Sequence, residues 1–139
     1  MNDGGNRIHA TGHIQVHTYE PTAYDHGAEG APDLTEIHVS ETFAGDLTGE
    51  GTARFLQAAR AGGSASFVGL ERVTGAIGER AGSFVLQDAG TVQGSTVSGQ
   101  WFVVPGSGTE QLSGLRGEGH VTAELGQNAK ITLNHWFED

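Results

Sequence analysis

Apolar residues recur at every second position through most of the chain, and no ten-residue window keeps them at helical spacing. That period is the mark of strands with one buried face. In the first run, Ile8 to Tyr19, the residues Ile8, Ala10, Ile14 and Val16 fall on one face and His9, His13 and His17 on the other. The same alternation predicts strands over Leu34 to Phe43, Thr52 to Arg60, Ala65 to Thr74, Ser83 to Asp88, Thr91 to Val104, Leu115 to Glu124 and Ala129 to Glu138. The chain therefore reads as all-β with about eight strands.

Glycine marks the corners. Phe43 to Gly51, Val73 to Gly78, Val92 to Trp101 and Leu112 to Gly119 share a loose pattern of an apolar residue, a glycine and a second glycine a few positions on. Short strands with repeated glycine corners predict an eight-stranded antiparallel up-and-down barrel, because closure removes the sheet edges that an open arrangement would have to protect. A barrel of that size is either filled by side chains or holds one small ligand. The polar stretch Glu20 to Asp33 breaks the regular spacing and predicts a long connection, either a lid over a barrel mouth or a passive surface loop.

Composition narrows the function classes. The chain has 139 residues, 23 of them Gly and none Cys, a length that suits one domain spanning 1–139. Without cysteine there is no disulfide or thiolate site. The net charge of −10 repels phosphate, and no Lys/Arg cluster is present, so nucleic acid and anionic membranes are not expected partners. The polar start MNDGGNRIHA and the shortness of the apolar runs predict a soluble, cytoplasmic protein.

The histidines invite a metal hypothesis, but His9, His13 and His17 lie on a predicted strand. Four strand residues span about 13 Å, too far for two imidazoles to share one ion. They are expected to form a solvated outer row, with no metal unless His38 or His120 completes a site across strands. Ser107 lies between glycines in Val104 to Glu110, without the strand-to-helix setting of a nucleophile elbow, and this segment reads as a loop. Its glycines could present backbone N–H groups to an anion, though a turn is the favoured reading.

The most informative segment is Ser64 to Gly75. Phe67, Gly69, Glu71 and Val73 share one strand face, and Val68, Leu70 and Arg72 share the other. If the first face looks inward, Glu71 is a buried carboxyl whose pKa desolvation raises towards useful acid/base values. The alternative is a structural pairing with an interior Gln57, Gln87 or His135. On the last strand Ile131, Leu133, His135 and Phe137 are in phase, which places His135 inside, either as a satisfied core residue or as an acid/base partner of Glu71. Ser98-Gly-Gln-Trp101 resembles the Gly-x-Trp of lipocalins and the glycine-tryptophan strands of avidin-like barrels, and Trp101 is expected in the core or on a cavity wall.

Several longer stretches carry a wider resemblance: His9 to Gly12, Glu41 to Gly51, Gly63 to Gly75, Arg80 to Gln87, Trp101 to Thr109 and Leu115 to Gly119. Together, and in order, they resemble a bacterial domain family of unknown function whose members look like small antiparallel barrels similar to allene oxide cyclase. The resemblance implies an allene oxide cyclase-like barrel and, by analogy, cofactor-independent chemistry on an apolar substrate. His13, His17 and His135-Trp136 depart from the family pattern and point to a specialised ligand.

The sequence thus predicts a barrel that binds an apolar small molecule without a cofactor, with an isomerase or cyclase as its enzymatic form. Glu71 and His135 are the candidate catalytic groups, and Phe67, Gln87, Trp101 and Gln57 the candidate binding residues. The alternative is a non-enzymatic ligand carrier or a structural, homo-oligomeric barrel.

Overall fold

A computed structural model describes residues 6–138. The strands are β1 (Ile8–Asp25), β2 (Asp33–Gly45), β3 (Leu47–Ala59), β4 (Ala65–Ile77), β5 (Arg80–Gln93), β6 (Thr96–Val103), β7 (Leu115–Glu124) and β8 (Ala129–Phe137). They form a closed barrel in chain order, each antiparallel to its neighbours, with β8 returning to pair with β1. Among the described residues no helix is long and apolar enough to cross a membrane.

The four predicted glycine corners are corners. Gly45, Gly78, Gly94 and Gly114 each adopt positive φ there, which a side chain would oppose. Several strand ends lie a few residues from the expected ones, β3 beginning at Leu47 and β5 at Arg80, and two of the differences change the layout. The break expected at Ala89–Gly90 lies instead after Gln93, because Gly90 continues β5 and pairs with Gly99. The connection expected over Glu20 to Asp33 is mostly strand: β1 runs on to Asp25, with Pro21 opposite Ile37 and Ala23 opposite Thr35. This half of β1 pairs with β2 alone, since β8 reaches only to Ile14. An edge position of that kind tolerates a proline, which has no N–H to donate. Neither a lid nor a long surface loop is formed. A register shift between Val16 and Thr18 places a bulge at His17, and His9, His13 and His17 are exposed as expected.

The barrel is filled at one end and hollow at the other. At the filled end Phe43, Leu47, Val73, Phe84, Leu86 and Leu133 form a fully buried cluster. β6 pairs with β5 only back to Leu86, and residues 104–111 complete the rest of that edge. Val104 N donates to Val85 O, Thr109 N to Ser83 O, and the Ala81 N–H reaches Gln111 Oε1. The loop around Ser107 is thus spent on backbone pairing, with its hydroxyl accepting from Val85 N. Its 3₁₀ turn, Glu110–Leu112, sets Leu112 into the barrel end with no exposed surface.

Candidate functional site

The hollow half is a cavity of about 630 Å³, within the range of small-molecule sites. Its mouth is ringed by Tyr19, Val92, Val97 and the β7–β8 turn Leu125 to Asn128, and its walls include Ile37, Val39, Phe55, Phe67 and Val121. Phe55 and Phe67 meet edge to face with centroids 5.7 Å apart. The floor, where the hollow half meets the packed core, carries Trp101 and the carboxyls of Glu41, Glu71 and Asp88.

Strand phase explains why three acids point inward. Glu41 continues Ile37 and Val39 on β2, Glu71 lies between Gly69 and Val73 on β4, and Asp88 follows Phe84 and Leu86 on β5. Small residues make room for them. A Cβ on Gly51 would collide with Glu71 Oε2 and with Phe43, and one on Gly99 would press on Asp88 Oδ1. Gly51 lies opposite Glu41 on one side and Val73 on the other. With no side chain there, the Glu41 and Glu71 carboxyls hydrogen-bond across β3.

All three carboxyls hold their protons more tightly than usual. Burial is the main cause at Glu71, which is raised well above the ordinary range, and the hydrogen bond and negative charge of Glu41 and the charge of Asp88 add to it. Glu41 is also raised by burial, while its bond with Glu71 acts the other way. The two carboxyls titrate as a pair that holds a proton between them. Asp88 is pushed up to about 7, by burial first and the Glu41 charge second, offset in part by the Ala89 backbone N–H. Among the described residues no donor outside the acid pair reaches Glu71 Oε2, and none reaches Asp88 Oδ1.

Residues 10–135 match the family DUF3224, described as a protein of unknown function. The chain belongs to the DUF3224 family. A solved DUF3224 protein of unknown function from Shewanella oneidensis MR-1 is similar at 32% identity and a TM-score of 0.82, covering 96% of this chain and 100% of its own. A comparison with curated proteins finds no match. The resemblance to a family of unknown function with a barrel fold is therefore borne out in DUF3224.

Within this DUF3224 barrel, Glu71, Phe67, Gln57 and Trp101 line the cavity. Trp101 also belongs to the core, its indole donating to Thr132 O at 3.0 Å and its ring 6.2 Å from that of Phe43. Gln87, expected inside, faces out: it is one residue out of phase with Leu86 and Asp88 and lies in a groove on the outer wall. His135 is inside, buried at 4% exposure, but on β8 near the filled end rather than in the cavity lining. Burial lowers its pKa, and it packs edge to face on Phe137. The neighbouring Trp136 lies under the Arg7 guanidinium, 4.0 Å from the ring centroid. Glu71 thus meets two acids, not Gln57, Gln87 or His135. Glu41 and Asp88 escaped the sequence reading, although both sit in phase with flanking apolar residues, the same signal that singled out Glu71.

Proposed function

We propose that this protein binds an apolar small molecule in the hollow half of the barrel and acts on it as a cofactor-independent isomerase or cyclase in the cytoplasm. The observation that carries this reading is the floor of the cavity: the buried carboxyls of Glu41 and Glu71 paired across β3, with Asp88 beside them, under apolar walls. Apolar walls can hold a flexible substrate near its reactive geometry, which lowers an intramolecular barrier. Asp88, pushed up to about 7, is matched to proton transfer near neutral pH. Glu71 gives a proton to the substrate at one atom, and Glu41 or Asp88 takes one from another, so no net proton is consumed. Confinement without a cofactor is also what the resemblance to allene oxide cyclase implies. His135 has no part in this reading, because it lies outside the cavity lining.

The test is Glu71→Gln, which keeps the shape and removes the transferable proton. The expected result is retained ligand binding with turnover reduced by about a hundredfold or more. Turnover equal to the parent would remove Glu71 from the chemistry, and binding without product in either protein would leave a carrier.

The outer wall favours a second, compatible reading: self-association. Leu56, Val68, Leu70 and Phe102 are exposed large apolar residues along the outer groove. Arg54, Leu70, Gln87, Phe102 and Glu118 form one cross-strand row. A two-fold axis at Gln87 would set Leu70 on Phe102 and Arg54 against Glu118 of a second copy, a self-complementary arrangement of the kind a dimer requires. Sedimentation should then show a dimer that Leu70→Glu dissociates. A parent protein that sediments as a monomer at high concentration would overturn it.

A further inference from the structure

Among the described residues the cavity lining contains four charged side chains, Glu41, Glu71, Asp88 and Glu124, and all are acidic. No Lys, Arg or His lines it, so nothing in the described wall neutralises the floor. Glu71 is 1% exposed, and among the described residues no donor outside the acid pair reaches its Oε2. Asp88 is 7% exposed and its Oδ1 has none either. Buried acceptors without partners are rare in native proteins and mark a place where something else donates. A carboxylate-bearing ligand would meet repulsion here, and a neutral hydrocarbon would leave Asp88 Oδ1 unsatisfied. Among the described residues the acids do not converge as a group able to hold a metal ion.

We propose that the ligand of this site is a lipophilic amine, its ammonium group seated on Glu41, Glu71 and Asp88 and its hydrocarbon body against Phe55, Phe67 and Val121. An ammonium group brings several N–H donors and a positive charge to acceptors that lack both, and such charge-assisted bonds are among the strongest available. The Trp101 ring beside the acids adds a surface that attracts cations. The apolar rim of Tyr19, Val97 and Leu125 suits entry of the hydrocarbon part. This inference rests on the reading that the hollow half holds a small molecule.

Binding should depend on pH in a direction the site dictates. The titratable groups facing the amine are Glu41 on β2, Glu71 on β4, Asp88 on β5, Glu124 on β7 and the Tyr19 phenol on β1, while the lining residues of β3, β6 and β8 carry no charge. Below about pH 7 Asp88 holds its proton without ligand, so an arriving ammonium must displace it there. Affinity therefore rises with pH, and each binding event releases protons to the buffer.

The probes are n-octylammonium, n-octanol and n-octanoate, one chain with three head groups, measured by titration calorimetry in two buffers of different ionisation enthalpy. Octylammonium is expected to bind at least about tenfold more tightly than octanol, with octanoate weakest, and to gain more than about tenfold in affinity between about pH 5.5 and pH 7.5 with proton release. Asp88→Asn should flatten that pH dependence. Ala123→Trp, which fills the cavity from its wall, should abolish binding without touching the floor. Octanol binding as tightly as octylammonium would overturn the amine assignment and leave the small-molecule reading standing. Failure of all three probes, or octylammonium binding unaltered by Ala123→Trp, would overturn both.

Discussion

Replacing Asp88 by Asn should make the protein more stable at neutral pH. Asp88 has a folded-state pKa of about 7, against 3.8 for the free side chain. Because the folded value is raised, the folded state binds the proton more tightly, and stability is fully present below the unfolded pKa and lost as pH rises towards the folded one. The slope between them is about 1.4 kcal/mol per pH unit, so the carboxyl costs the native state roughly 4 kcal/mol above pH 7. About 3 kcal/mol of that loss falls between pH 5 and pH 8. Asn keeps the shape without the ionisation. The measurement is urea unfolding of parent and variant across that range, followed by tryptophan fluorescence. The contributions of Glu71 and His135 are common to both proteins and largely cancel in the difference. The gap in unfolding free energy, Asn over Asp, should widen by about 3 kcal/mol from pH 5 to pH 8. Parallel curves would refute the claim that Asp88 is a desolvated, proton-holding acid on the cavity floor.

Further outcomes follow from the glycine that seats Glu71 and from the plug at the filled end. Gly51→Ala should destabilise by about 1–3 kcal/mol, because its methyl group would occupy the space of Glu71 Oε2 and the Phe43 ring; calorimetric melting checks this, and an unchanged midpoint would show that the carboxyl sits elsewhere. Leu112→Ala removes a side chain with no exposed surface and should cost about 2–5 kcal/mol. Its binding of a cavity ligand should stay unchanged in a titration well below the melting point, since the plug lies at the opposite end of the barrel from the mouth.

Much of the site was legible in strand phase. An acid in step with apolar neighbours on a period-two strand must either point into a core or break the pattern. Glu71 follows Phe67 and Gly69, Glu41 follows Ile37 and Val39, and Asp88 follows Phe84 and Leu86, so the same argument applied to every strand would have found all three. Gln87 fails the same rule, as it is out of step with Phe84 and Leu86. Less legible was the course of β1 past Tyr19. Pro21 and the polar residues around it carry no strand signal of their own, and their extended form comes from pairing with β2.

The sequence by itself determined the class of the protein. Alternation set the strands and their inward faces, glycines with positive φ set the corners, and the number of strands with short connections left a closed antiparallel barrel as the economical arrangement. Only the tertiary structure decided which inward residues meet. Glu41 and Glu71 are 30 residues apart on strands that are not neighbours, and their contact depends on the stagger of β2, β3 and β4 and on the missing side chain at Gly51. The position of His135, inside yet away from the acids, and the division into a packed end and a hollow one follow from the same cause. Phase along a strand is a local property, whereas depth along the barrel axis is fixed by the register of all eight strands together.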